Sequence, residues 1–345
     1  ALSNGYSPGS VINDAPVVFH DVSLEGNWRP ENDNGKFGGP TRLREALYRS
    51  RNLISIRLMR ALGIEETRDF ILGFGFEEDK LPKNLSLSLG SADATPLQVA
   101  TGYASLANGG FKVSPYIIES VLDREGLPLF AANPSIACGS CPERQQAELI
   151  AQELADMAAN DATSDAQAST TSKQPLVTLT GQPLAERLLD ERTAYILHDM
   201  MRDVVKKGTA RRALALKRGD LAGKTGTTND QKDSWFSGFT PKLSATAWVG
   251  FDQPSHLGKR EWGSTAALPM WIDFMGDALR NIPESYLPEP AGIATALIDP
   301  ATGLLAYDGQ KNAYNELFKE EQVPTEVAPK PGSEVATPTS EELFR

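Results

Sequence analysis

The order of elements in this 345-residue chain predicts an α+β (mixed α/β) fold, with an antiparallel sheet and an α-helical subdomain. Apolar residues recur at helical spacing in residues 41–62, 97–107 and 191–207. Strand candidates cluster later, within residues 221–251. A polar, low-complexity stretch at residues 158–173 is too poor in apolar side chains to belong to either group.

The composition of the chain is that of an ordinary globular protein, with 40% apolar and 23% charged residues. The formal net charge of -11 argues against a nucleic-acid partner, because phosphate binding needs an excess of basic residues. No apolar run approaches the ~18 residues that span a bilayer, and residues 1–5 lack the features of a signal peptide. Since the first residue is not methionine, we interpret the chain as a piece of a longer protein.

The first forty residues are rich in turn-forming glycine and proline, and helical patterns follow them. A helix is predicted from Thr41, and Ser50 interrupts it before a second helix over residues 53–62, which Gly63 ends as a C-cap. The apolar face of the first helix carries Leu43, Ala46 and Leu47, and its polar face carries Arg42, Arg44 and Glu45.

Shorter elements come next. Residues 65–72 predict a third helix, and residues 97–107 predict a fourth that begins with Thr95 and Pro96. Residues 116–123 predict a strand that ends in a tight turn.

Residues 133–182 are interpreted as an insertion, because a stretch dominated by Ala, Ser, Thr, Asp and Gln cannot offset its ordering entropy. Its centre is predicted to be disordered, and residues 143–157 to be helical. Cys138 and Cys141 form a Cys-Gly-Ser-Cys loop, interpreted as a small surface disulfide or a pair of free thiols. The three histidines are scattered, so no metal or other cofactor is expected.

The later part of the chain predicts the sheet. A helix over residues 191–207 precedes the strands, and another over residues 266–279 follows them. The strands are predicted at residues 221–227, 233–239 and 243–251, with a hairpin turn joining the last two. Beyond them, residues 293–298 and 304–306 predict a small hairpin, and residues 320–345 predict a disordered acidic tail.

The most informative stretch is Lys-Thr-Gly-Thr at residues 224–227, at the start of the strand-rich part. Lys224 would supply positive charge, and a hydroxyl of Thr225 or Thr227 is expected to bind a substrate carboxylate. Gly226 would let an acyl-peptide backbone approach closely, because it has no side chain. These properties suit acyl transfer; the alternative is an ordinary edge strand with a surface lysine.

A second short motif, Ser-Arg-Asn at residues 50–52, lies between two predicted helices. The hydroxyl of Ser50 can relay a proton, and the amide of Asn52 can hold a substrate amide, if both point into a cleft. Ser-x-Asn alone is weak evidence because it occurs in many chains, and the alternative is a helix-cap pair.

Together the two motifs are more specific, because Ser-x-x-Lys, Ser-x-Asn and Lys-Thr-Gly form the signature of penicillin-binding proteins and serine β-lactamases. The chain resembles that superfamily, and within it the transpeptidase domain of class A penicillin-binding proteins, which are bifunctional peptidoglycan synthases. The resemblance covers residues 10–62, 87–111 and 219–252 and the segment from Gly263. It implies a β-lactamase/transpeptidase-like fold that is incomplete at its N-terminus.

The resemblance also divides the chain into four parts. They are the helical part of the transpeptidase domain (1–132), the insertion (133–182), the sheet part (183–285) and a C-terminal extension with an acidic tail (286–345).

The nucleophile of the family is missing, because no serine in the chain has a lysine three residues later. We expect the chain to begin just after the helix that carries Ser-x-x-Lys; the alternative is a non-catalytic shell that never had it. By resemblance the catalytic residues would be Ser50, Asn52 and Lys224, and the substrate-binding residues 225–227.

The implied function is a penicillin-sensitive DD-transpeptidase, which cross-links peptidoglycan stem peptides through a serine ester. The implied partners are stem peptides ending in D-Ala-D-Ala, a lipid-linked precursor, β-lactam antibiotics and cell-wall synthesis regulators that would bind the insertion. The implied location is the periplasmic side of a bacterial inner membrane, with an N-terminal anchor outside this chain. The alternatives are a serine β-lactamase-like hydrolase and a non-catalytic binding module.

Overall fold

The computed structural model describes residues 1–21, 26–139, 141–161, 176–178 and 181–330. The helices are α1 (Leu43–Arg49), α2 (Asn52–Leu62), α3 (Ile64–Leu72), α4 (Pro96–Ala107), α5 (Pro142–Asp161), α6 (Glu191–Lys206) and α7 (Leu268–Ala278). The strands are β1 (Val11–Asp14), β2 (Phe19–Asp21), β3 (Gly26–Trp28), β4 (Gly39–Arg42), β5 (Ser120–Leu122), β6 (Pro128–Ala131), β7 (Ala222–Thr227), β8 (Asp233–Thr240), β9 (Leu243–Gly250), β10 (Ile293–Ile298) and β11 (Tyr314–Lys319).

The central sheet is antiparallel, in the order β7-β8-β9. Gly226 of β7 pairs with Trp235 of β8, and Thr240 of β8 pairs with Leu243 of β9 across the turn. All three predicted strands and their hairpin are confirmed. In the described part of the chain, β1-β4, β2-β3, β5-β6 and β10-β11 form separate two-stranded antiparallel pairs.

Helices cover both faces of the sheet. Residues of β8 contact both layers of helices, because side chains along a strand alternate between its two faces. Phe236 is fully buried against Trp271 of α7, with ring centroids 4.9 Å apart. Phe239 is equally buried on the opposite face, 5.3 Å from the ring of His198 on α6. The layered arrangement of helices and antiparallel strands agrees with the predicted α+β class.

The helix boundaries follow the predicted start and stop signals closely. Thr95 and Gln98 form a capping box at the start of α4, where Pro96 occupies the first turn. Gly63 ends α2 with a φ of 96°, a conformation that favours glycine. The predicted helix start at Thr41 is wrong by two residues, because Gly39–Arg42 pairs with β1 as strand β4.

Two arginines on α1 and just before it contradict the predicted polar face. Arg42 and Arg44 are buried, with 8% and 5% of their surface exposed. They lie inside because Glu316 of β11 is placed next to both guanidinium groups. The amphipathic pattern of α1 alone contained no sign of this distant carboxylate.

The strand predicted at residues 116–123 is shorter than expected. It forms only as β5, which pairs with β6 in a hairpin around Gly126. Cys138 and Cys141 are joined in a disulfide, one of the two predicted states. The predicted helix in the insertion forms as α5, whereas the centre of the predicted disordered stretch, residues 162–175, lies outside the described residues.

The predicted hairpin of residues 293–298 with 304–306 forms at its tip, where Ile298 and Leu305 make an antiparallel bridge and Ala306 N donates to Leu297 O at 2.9 Å. The carboxylate of Asp299 accepts from the backbone of Ala301 and Thr302 and closes the tight turn of this hairpin. All six residues of β10 also pair with β11, which the sequence did not predict.

The tail prediction is wrong for residues 320–330, where Ala328 is buried and Leu305 N donates to Glu326 O at 2.9 Å. Residues 331–345 lie outside the described part of the chain. Within that described part, no helix is both long and apolar enough to cross a membrane.

Candidate active site

Lys224 and Ser50 meet although 174 residues separate them in the chain. Lys224 lies in the middle of β7, and its Nζ donates to Ser50 Oγ at 2.7 Å and to Thr225 O at 2.8 Å. The structure therefore brings the two sequence motifs together in one place.

Ser50 reaches this position because α1 stops abruptly. Its backbone is left-handed (φ 55°, ψ 56°), and its N–H donates to Leu47 O at 3.1 Å. Few residues other than glycine adopt this conformation without cost, so packing around Ser50 must hold it.

The end of α6 supplies part of that packing. The N–H of Thr209 donates to Tyr48 O at 3.2 Å, next to Ser50. Gly208 allows the contact, because a Cβ there would lie 2.3 Å from Tyr48 O. The last turn of α1 is thus fastened to the segment that follows α6.

Burial of the amine lowers the pKa of Lys224 to about 8. Bringing an ammonium group out of water disfavours its charged form. Near neutral pH the amine therefore exists in both forms in appreciable amounts, which is the condition for exchanging a proton with the Ser50 hydroxyl.

The two threonines of the motif have different surroundings. Thr225 is half-buried, and its Oγ1 lies 2.8 Å from Thr209 Oγ1 in a hydroxyl pair. Thr227 is exposed at the end of β7, and its Oγ1 accepts from Gly263 N at 3.0 Å. Both hydroxyls thus lie along β7, with Thr227 the more accessible to a ligand.

Gly226 lies between these threonines, and a side chain there would be crowded by the neighbouring strand. A Cβ there would lie 3.1 Å from Trp235 Cβ on the neighbouring strand. The segment that begins at Gly263 also approaches closely, since a Cβ on Gly263 would lie 2.5 Å from Gly226 O. Backbone therefore packs directly on backbone at this point of the strand.

Asn52 is held beside the site by the turn-rich segment before α1. As the first residue of α2 it donates from Nδ2 to Glu31 O at 2.9 Å. Its neighbour Arg51 has Nε 3.6 Å from the fully buried carboxylate of Asp14. Asp14 also accepts from Asn32 Nδ2 at 2.7 Å. Asp14 and Asn32 thus form a polar cluster with Arg51 that supports the Ser-Arg-Asn segment.

Sequence reasoning missed Thr209 and Asp14. Thr209 lies just beyond a predicted helix, and its pairing with Thr225 depends on how α6 packs on β7. A lone aspartate at the end of a short strand gives no local signal for Asp14. His198 is buried on α6, and this burial lowers the pKa of His198 to about 4.

The family follows from a match over most of the chain. Residues 1–270 match the model of the penicillin binding protein transpeptidase domain. The chain belongs to the penicillin-binding protein transpeptidase family. Penicillin-binding protein 1A from Pseudomonas aeruginosa is 47% identical over 332 residues, which are 95% of this chain and 40% of the relative. Penicillin-binding protein 1A from Vibrio cholerae is 35% identical over all of the chain and 42% of its own length.

The solved structures of penicillin-binding proteins support the same fold. The crystal structure of penicillin-binding protein 1A from Haemophilus influenzae has a TM-score of 0.79 and 33% identity, over 95% of this chain and 47% of that one. The penicillin-binding protein PonA1 from Mycobacterium tuberculosis shares the fold at a TM-score of 0.62 and 21% identity, over 88% of this chain and 70% of that one. The predicted transpeptidase-like fold is thereby confirmed. The chain spans less than half the length of these two curated relatives.

Proposed function

We propose that this chain belongs to a penicillin-sensitive DD-transpeptidase that cross-links peptidoglycan stem peptides by acyl transfer through a serine ester. The observation that carries the proposal is the 2.7 Å contact between Lys224 Nζ and Ser50 Oγ in a member of the transpeptidase family. An amine with a lowered pKa beside a hydroxyl is suited to moving a proton during amide cleavage.

In the reaction proposed, a serine of a Ser-x-x-Lys segment outside these 345 residues attacks the D-Ala-D-Ala amide, and the adjacent lysine takes its proton. Ser50 passes a proton to the leaving nitrogen, so that D-Ala leaves with a neutral amine. Lys224 then restores the proton on Ser50. The amine of a second stem peptide then attacks the ester carbonyl, and the bond between that carbonyl and the serine oxygen breaks. The lysine of Ser-x-x-Lys returns its proton to the serine oxygen, and the proton lost by the attacking amine returns through Ser50 to Lys224.

The remaining motif residues bind rather than react. Thr225 and Thr227 offer their hydroxyls to the terminal carboxylate of the donor peptide from β7, with the charge of Lys224 nearby. Asn52 holds the donor amide once its side chain turns from Glu31 O, which it contacts here. β-Lactams would acylate the same serine, because they occupy the place of D-Ala-D-Ala.

The wider setting of the enzyme is part of the proposal. The protein would act on the periplasmic side of the inner membrane and be held there by an anchor outside these residues. It would receive lipid-linked precursor, and regulators would bind the insertion at residues 133–182.

Labelling with a fluorescent penicillin tests the proposal. We expect no covalent labelling of the 345-residue chain and stable labelling of a protein extended upstream to include Ser-x-x-Lys. In the extended protein, Lys224→Ala should slow acylation by at least about 100-fold, within the range typical of losing an acid–base group. The control is Lys242→Ala, since Lys242 is exposed in the turn between β8 and β9.

The outcomes separate the rival functions. Labelling of the 345-residue chain, or an unchanged rate for Lys224→Ala, would contradict the roles proposed. Rapid release of hydrolysed penicillin would favour a serine β-lactamase, and failure of the extended protein to label would favour a non-catalytic module.

A further inference from the structure

A buried cluster of charges joins the start of α1 to the C-terminal strand pair. Arg44 donates from Nη2 to Glu316 Oε1 at 2.6 Å and from Nε to both carboxylate oxygens at 2.9 Å. Its Nη1 lies 2.7 Å from Asp199 and 3.3 Å from Asp203, both on α6. One guanidinium thus connects three elements of the fold, and its planar set of donors suits this geometry.

Glu316, like Arg44, is buried and hydrogen-bonded. Only 1% of its surface is exposed, and its Oε2 accepts from the hydroxyl of Tyr314 at 2.9 Å. Arg42 lies over the ring of Tyr314 at 4.5 Å and donates from Nε to Pro300 O at 2.8 Å. Burial alone would lower the pKa of Arg44, but hydrogen bonding and charge from Glu316 raise it, so the guanidinium stays charged.

The cluster lies at the opposite end of α1 from Ser50. The helix has seven residues, Leu43–Arg49, and Arg44 precedes Ser50 by about 9 Å along its axis at 1.5 Å per residue. A helix this short has little stability of its own, so its position depends on what holds its ends. Thr209 fastens the end near Ser50, and Glu316 fastens the beginning through Arg44.

Glu316 lies outside the part of the chain that the transpeptidase family model matches, which ends at residue 270. We propose that Glu316 is a positioning residue for the Ser50–Lys224 pair, so that the strand pair β10-β11 is a working part of the active site. The proposal rests on the proposed function for its rate effect, but its structural effect is independent of that function.

Glu316→Gln is the decisive variant, because it keeps the size of the side chain and removes the charge. In the extended protein we expect about a tenfold loss in the second-order rate of acylation by a fluorescent penicillin. The control is Arg68→Gln on α3, which removes another buried guanidinium, one that is away from α1 and pairs with the exposed Glu65 at 2.7 Å. At a temperature where both variants are folded, the control should keep its rate within twofold.

The 345-residue chain provides a second readout that needs no catalysis. We expect the pKa of Lys224, measured by NMR titration, to rise by at least one unit in Glu316→Gln, since a displaced α1 admits water to the amine. If Glu316→Gln does not fold, Tyr314→Phe removes one donor to Glu316 and should shift both quantities by less, in the same direction.

The two proposals fail in different ways. An extended wild-type protein that penicillin does not label would remove the proposed function, and the NMR titration would still decide the role of Glu316. An unchanged Lys224 pKa in a folded Glu316→Gln chain, or an equal rate loss in Arg68→Gln, would overturn the positioning role.

Discussion

Replacing Lys224 by methionine perturbs the stability of the chain in a pH-dependent way. Methionine matches the length and much of the volume of lysine but carries no charge. Because burial lowers the pKa of Lys224 from 10.5 to about 8, the folded state is less stable with a charged amine than with a neutral one.

The size of the effect follows from that difference in pKa. At 1.36 kcal/mol per pKa unit, the charged amine costs the folded state about 3 kcal/mol at pH 6, where both folded and unfolded chains carry the proton. As pH rises past 8 the folded chain loses the proton first, and about 1.5 kcal/mol of the cost remains at pH 9.5. Methionine also removes the hydrogen bond to Ser50, worth about 1 kcal/mol. The variant should therefore be about 2 kcal/mol more stable than the native chain at pH 6 and nearly equal to it at pH 9.5.

Urea unfolding at pH 6, 7.5 and 9.5, analysed by linear extrapolation, measures this difference. The matched control is Lys242→Met, which alters an exposed lysine of the same sheet and should show no trend with pH. A difference between Lys224→Met and the native chain that stays constant within about 0.5 kcal/mol from pH 6 to 9.5 would refute the reasoning.

Two further predictions concern the core on either side of the sheet. Phe236→Ala should destabilise the chain by about 3–5 kcal/mol, because Phe236 is fully buried against Trp271; urea unfolding that shows under 1 kcal/mol would contradict this packing. His198→Gln should reduce the loss in free energy of unfolding that occurs as the pH falls. Burial lowers the pKa of His198 from 6.5 to about 4, so the unfolded chain takes up the proton first and the native chain should lose about 2 kcal/mol between pH 7.5 and 5. An equally steep loss in the variant would show that another group is responsible.

Local pattern was enough to predict the elements whose stability depends on their own sequence. The helix α4 has a capping box, a proline in its first turn and an unbroken apolar stripe, so its limits were predictable within one residue. Side chains of β8 and β9 alternate between the two faces of the sheet, and a short turn joins the two strands. That turn sets their pairing as well as their positions.

Elements that depend on distant partners were not predictable in this way. Arg44 has the spacing of an exposed residue, and its burial is made favourable by distant carboxylates, among them Glu316, 272 residues later. Likewise β10 pairs along its whole length with β11, and only its end pairs with the nearer Leu305. The pairing of Ser50 with Lys224 was expected from the resemblance to a family, because no periodicity in the chain connects them.

The separation between Arg44 and Glu316 also has a consequence during synthesis. At a translation rate of about 5–20 residues per second, roughly 15–55 s pass between the two residues leaving the peptidyl-transferase centre. During that time the guanidinium has Asp199 and Asp203 as partners at most, once α6 exists. The helix α1 therefore acquires its full set of contacts only after β11 has been made, and a chain cut before β11 would leave Arg44 buried with an incomplete set of counter-charges.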